Sequence, residues 1–418
     1  MNSKPFEALG FLPFRRYISI RFFINMAFRM QELVLGFYIY KLTHDPLAIG
    51  MIGLVELIPF LGFVLFGGYF ADRSEKRKTL FWVFSGYLFS SITIFFLVQT
   101  FIPLNLALNN ILTILYGMFF LNGISSAFLN PCWFILLKKS VPEKIFANAN
   151  TWNSSSRQVA AVLGPALGGL IYGFWGISTA MAFVITFIFL SIGWVFFLEK
   201  HPPEENISPS PNRNELFEGI YFVWNNKLML SMLTLDLFAY FFGGMAAMLP
   251  VYAQDILKVG SQGFGLMRSF LALGSIFSLM IMTKFSPLNK PWKNLIGSVF
   301  GFGISVMGFA LSKNYNWTLL FLFSMGAFDS IGGIIRSTIM SLITPSNIGG
   351  RVSSINSIFL GCTNELGEFE SGFSARLMGI VPSVVFGGAI TLIAATYSLF
   401  RNLGQLNLSL EKLQESNV

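Results

Sequence analysis

Long apolar runs separated by short polar breaks dominate this chain, and twelve of them are long enough to cross a hydrocarbon core of about 30 Å. They fall near residues 17–42, 47–71, 79–99, 109–137, 148–175 and 178–198, and again near 228–254, 262–284, 292–311, 316–343, 352–379 and 382–402. Between the two sets of six lies the only long polar connection, HPPEENISPSPNRNE from His201 to Glu215. Its Pro, Asn and Ser mark a solvated linker. The pattern predicts an all-α polytopic membrane protein with 12 transmembrane helices: a six-helix bundle over 1–199, a cytoplasmic linker over 200–227, and a second six-helix bundle with a tail over 228–418. Within the linker region, LFEGIYFVW from Leu216 to Trp224 is too short to span and is expected to lie along the membrane interface.

Composition agrees with the pattern. With 54% hydrophobic residues, 11% charged residues and 48 Phe among 418 residues, the chain is far from a soluble average. The net charge of +8 is a matter of topology. If the N-terminus is inside, nineteen of the 28 Lys and Arg fall in cytoplasmic segments and three, Lys41, Lys258 and Lys313, in outer loops. That excess places both termini in the cytoplasm. No basic helix, RNA-binding aromatic motif or zinc pattern accompanies the charge, so nucleic acid is not an expected partner. Cys132 and Cys362 fall inside spans and read as packed thiols, while His44 and His201 lie in loops, which removes a histidine relay from the membrane. The N-terminus lacks a small-residue cleavage site before the first span, so the first helix is read as uncleaved. No phosphate loop or enzyme signature is found: GFGISV from Gly301 has only two glycines of a dinucleotide turn and lies within an apolar span. The reading is therefore not an enzyme, with no cofactor and no metal site. The expected partners are the lipid bilayer, a small-molecule substrate and protons, because without a nucleotide site the energy must come from an ion gradient.

The stretch GGYFADRSEKRK, from Gly67 to Lys78, closes the second span with an acid followed by a knot of cations. Its Gly68, Asp72, Arg73 and Arg77 resemble the conformational hinge between the second and third helices of the major facilitator superfamily, with Phe70 where Leu is usual and Glu75 where Gly is usual. The resemblance implies that Asp72 approaches the start of the eleventh span near Val352, where a helix dipole favours negative charge by about 0.3 to 1 kcal/mol. In the fifth span AAVLGPALGG places Gly164, Pro165, Gly168 and Gly169 for close helix packing and bending, and resembles the antiporter motif of the superfamily's drug-exporting branches. The fourth span departs from those exporters: around Asn122 and Gly123 the usual intramembrane Arg is absent and Phe119 stands there. The halves also echo each other, as transporter repeats do. Pro142, Asn153, Gly164 and Gly169 match Pro345, Asn356, Gly367 and Gly372 at one offset of 203.

Thirteen ionisable residues fall within the spans: Arg21, Arg29, Glu32, Glu56, Arg157, Asp236, Arg268, Asp329, Arg336, Glu365, Glu368, Glu370 and Arg376. Left in lipid they would cost on the order of 30 to 45 kcal/mol, so they must face water or one another. None lies in spans 3, 6, 9 or 12. In the fold this chain resembles, those four helices are lipid-facing supports and the others line a central cavity between two pseudo-symmetric halves. Arg29 and Glu32 share a helix face, as do Asp329 and Arg336, and each pair is either a structural ion pair or a substrate contact. Glu56, three residues before Pro59, either lines the cavity or belongs to a kink. Asp236 joins these as a candidate cavity residue. Arg21 is expected to snorkel to the interface, and Arg157, Arg268 and Arg376 to hold acids or an anionic substrate.

In NELGEFESG, Glu365 and Glu368 share one helix face, while Glu370 is about 200° round from Glu368. Two carboxylates so placed share protons in coupled steps, which a proton carrier requires; the alternative is permanent pairing of these acids with Arg336 and Arg376. RRYISIRFFI, LTHDPLAIG, LFEGIYFVW and NELGEFESG resemble the enterobactin-exporter-like group and related bacterial efflux permeases. The resemblance implies secondary active transport, the proton-coupled export of a siderophore-like or amphipathic small molecule across the cell inner membrane by alternating access. The alternatives are a proton symporter that imports a small molecule and a transporter-like receptor.

Overall fold

The protein, seen in a computed structural model, is described over residues 6–104, 107–199, 221–284, 287–344 and 349–401. Helices stand where the apolar runs predict them: α1 (Leu12–Thr43), α2 (Pro46–Arg73), α3 (Lys76–Leu104) and α4 (Leu108–Ser140) take the first four spans. α5 (Phe146–Val195) takes both the fifth and the sixth. Its 50 residues would measure about 75 Å at ~1.5 Å per residue, more than two core thicknesses, so it cannot be a single crossing. Gly176 breaks it, with φ 82° and ψ 175°. Only a residue without Cβ adopts that conformation cheaply, and the break separates the two predicted spans within one hydrogen-bonded run.

The remaining long helices are α6 (Lys227–Gly243), α7 (Gly260–Lys284), α8 (Pro291–Leu311), α9 (Tyr315–Ile343), α10 (Gly349–Met378) and α11 (Ile380–Arg401). One span differs from expectation. The run 228–254 is not a continuous helix: α6 ends at Gly243, and a 3₁₀ turn (Met245–Met248), one α turn (Leu249–Val251) and a π turn (Tyr252–Ile256) follow. Two glycines in succession weaken the helix, and Pro250 cannot donate to the carbonyl one turn back. The Ser371 hydroxyl instead donates to the Gly244 carbonyl at 2.9 Å, so the opened backbone is satisfied by α10.

Among the described residues eight helices are long and apolar enough to cross a membrane by themselves, α5 among them. α1 and α10 fall outside that group because Arg21, Arg29 and Glu32 interrupt the one and Glu365, Glu368 and Glu370 the other; α6, at 17 residues, is short. α1 compensates by burial. Every residue from Leu33 to Tyr40 is buried, and the helix lies along α5. The helices whose ionisable residues stand only at their ends present apolar stripes instead. Trp82, Phe89 and Phe96 on α3, and Phe386, Ile393 and Phe400 on α11, recur at seven-residue spacing and are exposed. Seven residues are nearly two turns, so each set forms one face suited to lipid.

The helices form two compact units. Among the described residues, the first comprises 6–44, 52–104, 107–199 and 260–265, the second 45–51, 221–259, 266–284, 287–344 and 349–401. The first is built on α1 against α5, with α3 and α4 beside them. In the second, Trp292 is fully buried among Leu228, Met232, Leu235, Leu295, Val299, Ile335 and Ile339, so α6, α8 and α9 share one apolar core. α7 meets α9 through glycines: a Cβ at Gly274 would strike the Phe323 carbonyl and one at Gly326 the Leu271 carbonyl. The Ser275 hydroxyl closes that contact by donating to Gly326 O at 3.0 Å.

Candidate functional site

Directly beside the Trp292 core, α6 and α9 carry a chain of polar groups. Asp236 and Tyr240, one turn apart on α6, face Asp329 and Arg336 on α9. Arg336 Nε lies 2.6 Å from Asp236 Oδ2, and its Nη2 donates to the Tyr240 hydroxyl at 2.9 Å. That hydroxyl in turn donates to Asp329 Oδ1. The guanidinium also stands over the Tyr240 ring, 5.4 Å from its centroid. Room for it comes from Gly332, where a Cβ would come within 3.2 Å of Arg336 Nη1. Asp236 is only 1% exposed, and its Oδ1 has no hydrogen-bond partner. A charge so deep is tolerable only because Arg336 neutralises it. Tyr240, Asp329 and Arg336 line a small recess together with Ser298, Phe302 and Phe328.

The shared helix face of Asp329 and Arg336 is as the sequence predicts, but their connection is not direct. Tyr240 bridges them, and sequence spacing alone did not single it out, although it stands four residues after Asp236. Permanent pairing of the α10 acids with Arg336 and Arg376 is not what the structure has. Arg336 turns to Asp236, and Arg376 lies 3.3 Å from Asp45, which also caps α2 by accepting from Leu47 N. Glu365, Glu368 and Glu370 are half-buried on α10. Gly367 between them is the residue that meets α6, where a Cβ would come within 2.7 Å of Tyr240 O. Glu365 is about 200° round the helix from Gly367, so its side chain is directed away from the Asp236 network.

In the first unit Arg29 and Glu32 pair at 2.8 Å, with side chains 55% and 40% exposed. Arg21 does not snorkel. Its guanidinium lies 4.7 Å from the ring centroid of buried Trp133 on α4, and its Nε is buried. Aromatic stacking inside the bundle holds it in place of a route to the interface. The Gly-rich stretch of α5 acts against α1: a Cβ at Gly164 would lie 2.8 Å from Arg29 Cβ, and one at Gly168 3.0 Å from Met30 Cγ. Pro165 is accommodated within the helix, and Gly169 meets Gly265 of α7. The repeated glycine of the second half behaves alike, since Gly164 on α5 abuts α1 as Gly367 on α10 abuts α6. Glu56 is half-buried on α2, where Gly123 of α4 comes against its carbonyl and against Pro59. Phe119 is buried on α4, where the exporters' Arg is missing.

The hinge stretch turns in two residues between α2 and α3. Lys76 Nζ donates to Ser74 O at 3.0 Å, Ser74 and Thr79 hydroxyls meet at 2.6 Å, and Lys78 pairs with Glu75 at 3.4 Å. Arg77 reaches the end of α5, donating to Leu198 O at 3.5 Å with its guanidinium 5.8 Å from the Phe196 ring centroid. Gly68, Asp72 and Arg73 lie on the last turns of α2, and their side chains are outside the described residues. Residues 200–220 of the predicted linker, 200–227, are outside them too; of LFEGIYFVW, Tyr221 and Trp224 are exposed and Val223 is buried, on a helical turn.

Comparison with known proteins follows the same lines. A Staphyloferrin A transporter of Staphylococcus aureus is 22% identical over 405 residues, covering 96% of this chain and 98% of that protein. The multi-drug resistance efflux pump PmrA of Streptococcus pneumoniae is 26% identical over 269 residues, 62% of this chain and 65% of its own. Among solved structures, a POT family transporter in complex with 5-aminolevulinic acid superposes with a TM-score of 0.74 at 13% identity, covering 94% of this chain and 96% of that one, which shows the fold. The Major Facilitator Superfamily profile matches residues 18–363. This chain is a multi-pass membrane transporter belonging to the Major Facilitator Superfamily.

Proposed function

We propose that the protein exports a siderophore-like or amphipathic small molecule from the cell by proton antiport, cycling between inward-open and outward-open states in the inner (plasma) membrane. The observation that carries this reading is the Asp236–Arg336–Tyr240–Asp329 network. A bundle has no structural need for two acids and a guanidinium in its apolar interior, and intramembrane ionisable groups are expensive enough to mark function. The efflux pump among the similar proteins supports the outward direction, and the siderophore transporter supports the substrate class. Comparing extracts of cells lacking the protein with the parent identifies the compound that accumulates. Vesicles loaded with the protein then decide direction: uphill movement of that compound against an opposing proton flux is expected, and movement with protons in the same direction would establish symport instead.

The charge asymmetry of the loops supports a topology with both termini and the linker in the cytoplasm. A Cys introduced at Asn212 is expected to stay unlabelled by an impermeant reagent added to intact cells, while one at Asn105 reacts. The reverse result would invert the topology.

Within this cycle Gly68, Asp72, Arg73 and Arg77 are assigned to the conformational hinge, with Gly164, Pro165, Gly168 and Gly169 as the packing seam of the antiporter-like helix. Asp72→Asn is expected to slow turnover in vesicles while changing substrate affinity less than about threefold, since a group that biases states without touching ligand shifts the cycle alone. Unchanged turnover would remove Asp72 from the hinge.

A further inference from the structure

The first unit holds a second set of polar groups, partly buried and reaching the surface at Arg157, that the antiport reading leaves unused. Tyr17 on α1 donates to Asn153 Oδ1 on α5 at 3.1 Å, and further along the same two helices Met26 and Arg29 meet Gly164. Between these contacts, Arg21 and Asn25 on α1 stand level with Ser156 and Arg157 on α5. Trp133 of α4 packs beside them, with Tyr17 edge-on at 5.7 Å and the Arg21 guanidinium over its ring. Three buried side-chain atoms here have no hydrogen-bond partner: Arg21 Nε, Asn25 Nδ2 and Ser156 Oγ. Two are obligate donors and the third can donate.

The charge balance points the same way. α4 and α5 contain no acid, and the one acid on α1, Glu32, pairs with Arg29. Arg21 and Arg157 therefore have no counter-charge on the three helices, and neither makes an ion pair among the described residues. A part-buried guanidinium with unpartnered donors beside it, and a second, exposed guanidinium at the same level, together favour an anion. Because the cations stand on separate helices with neutral donors between, oxygens spread over more than one group fit better than a single compact ion. Arg forks match carboxylates in paired hydrogen bonds, and the Trp133 and Tyr17 rings favour an organic frame.

We propose that the Arg21–Asn25–Ser156–Arg157 cluster binds a small organic polycarboxylate and so sets the substrate class of this transporter. The proposal rests on the transport reading for its biological sense, but its test is binding alone. Purified full-length protein in detergent is titrated calorimetrically with tricarballylate, its uncharged trimethyl ester and inorganic phosphate. Tricarballylate is expected to bind at least tenfold more tightly than either of the others. Arg157→Gln, a change at an exposed side chain that leaves packing intact, and Arg21→Lys, which keeps charge but loses the fork, should each weaken tricarballylate at least tenfold, while Lys138→Gln at the end of α4 leaves it unchanged. Equal binding of the ester, equal binding of phosphate, unaltered affinity in Arg157→Gln, or no heat from tricarballylate at millimolar concentration would each overturn the site. Should binding follow the expected pattern while vesicles move no compound, the site stands and the transport reading falls.

Discussion

Replacing Arg336 with Gln is expected to destabilise the protein by about 3–5 kcal/mol and to abolish transport, the largest single-residue effect the structure implies. Asp236 is 1% exposed and holds Arg336 Nε at 2.6 Å, so removing the guanidinium leaves a buried charge with nothing to balance it. The Tyr240 hydroxyl loses its donor as well, and its bond to Asp329 is left to position the ring alone. The double variant Asp236→Asn with Arg336→Gln removes both charges and should recover part of the stability, because the penalty belongs to the unpaired ion more than to the lost attraction. Thermal unfolding of the four proteins in detergent measures this directly. A coupling energy of about 1–3 kcal/mol between the two sites is expected, and effects that add within about 0.5 kcal/mol would show that the pair does not act as a unit. Transport should stay lost in the double variant, since stability is restored without the charges.

The helices were legible because the apolar runs are long and the breaks between them polar, and membrane thickness admits few other readings of a run of that length. Two details were hidden for physical reasons. The break at Gly176 falls between the predicted fifth and sixth spans, but nothing in a glycine among apolar residues announces that the chain turns there through a positive φ within one hydrogen-bonded run. The unwinding after Gly243 is stabilised by a hydroxyl from α10, a partner more than a hundred residues away that local pattern cannot show. At the site, pairs within one helix could be read from spacing: Arg29 with Glu32 is the case. Pairs across helices could not. Asp236 has no partner on its own helix, so its link to Arg336 emerged only when α6 and α9 were placed side by side. Arg21 departs from the expected snorkelling for the same reason, since Trp133, which stacks on it, comes from α4. The repeat offset of 203 carried more than expected: Gly164 and Gly367 make the same kind of contact in their respective halves, against α1 and against α6.

Replacing Glu365 and Glu368 together with Gln is expected to abolish uphill transport while leaving substrate binding intact. The two carboxylates stand on one face of α10, about 60° apart, and each is half-buried. Their neighbour Gly367 is the residue that turns toward α6, so the pair is held apart from the Asp236–Arg336 network and is not absorbed into it. Asp236 is engaged by Arg336, Asp329 by Tyr240 and Glu32 by Arg29, so in this state each of those acids already has a partner within the protein. Two acids sharing a face can exchange a proton between them in coupled steps and load or release it as access changes. Gln preserves the shape and the hydrogen-bonding oxygen but cannot lose or gain a proton, so the variant should still open and close around its substrate and show gradient-independent exchange only. Proteoliposomes with an imposed pH gradient separate the two activities. The parent is expected to concentrate substrate and the double variant to equilibrate it, with equal affinities in a binding assay. If the double variant still drives substrate uphill, the coupling proton is not carried on α10, and Asp236 on α6 and Glu56 on α2 become the groups to replace.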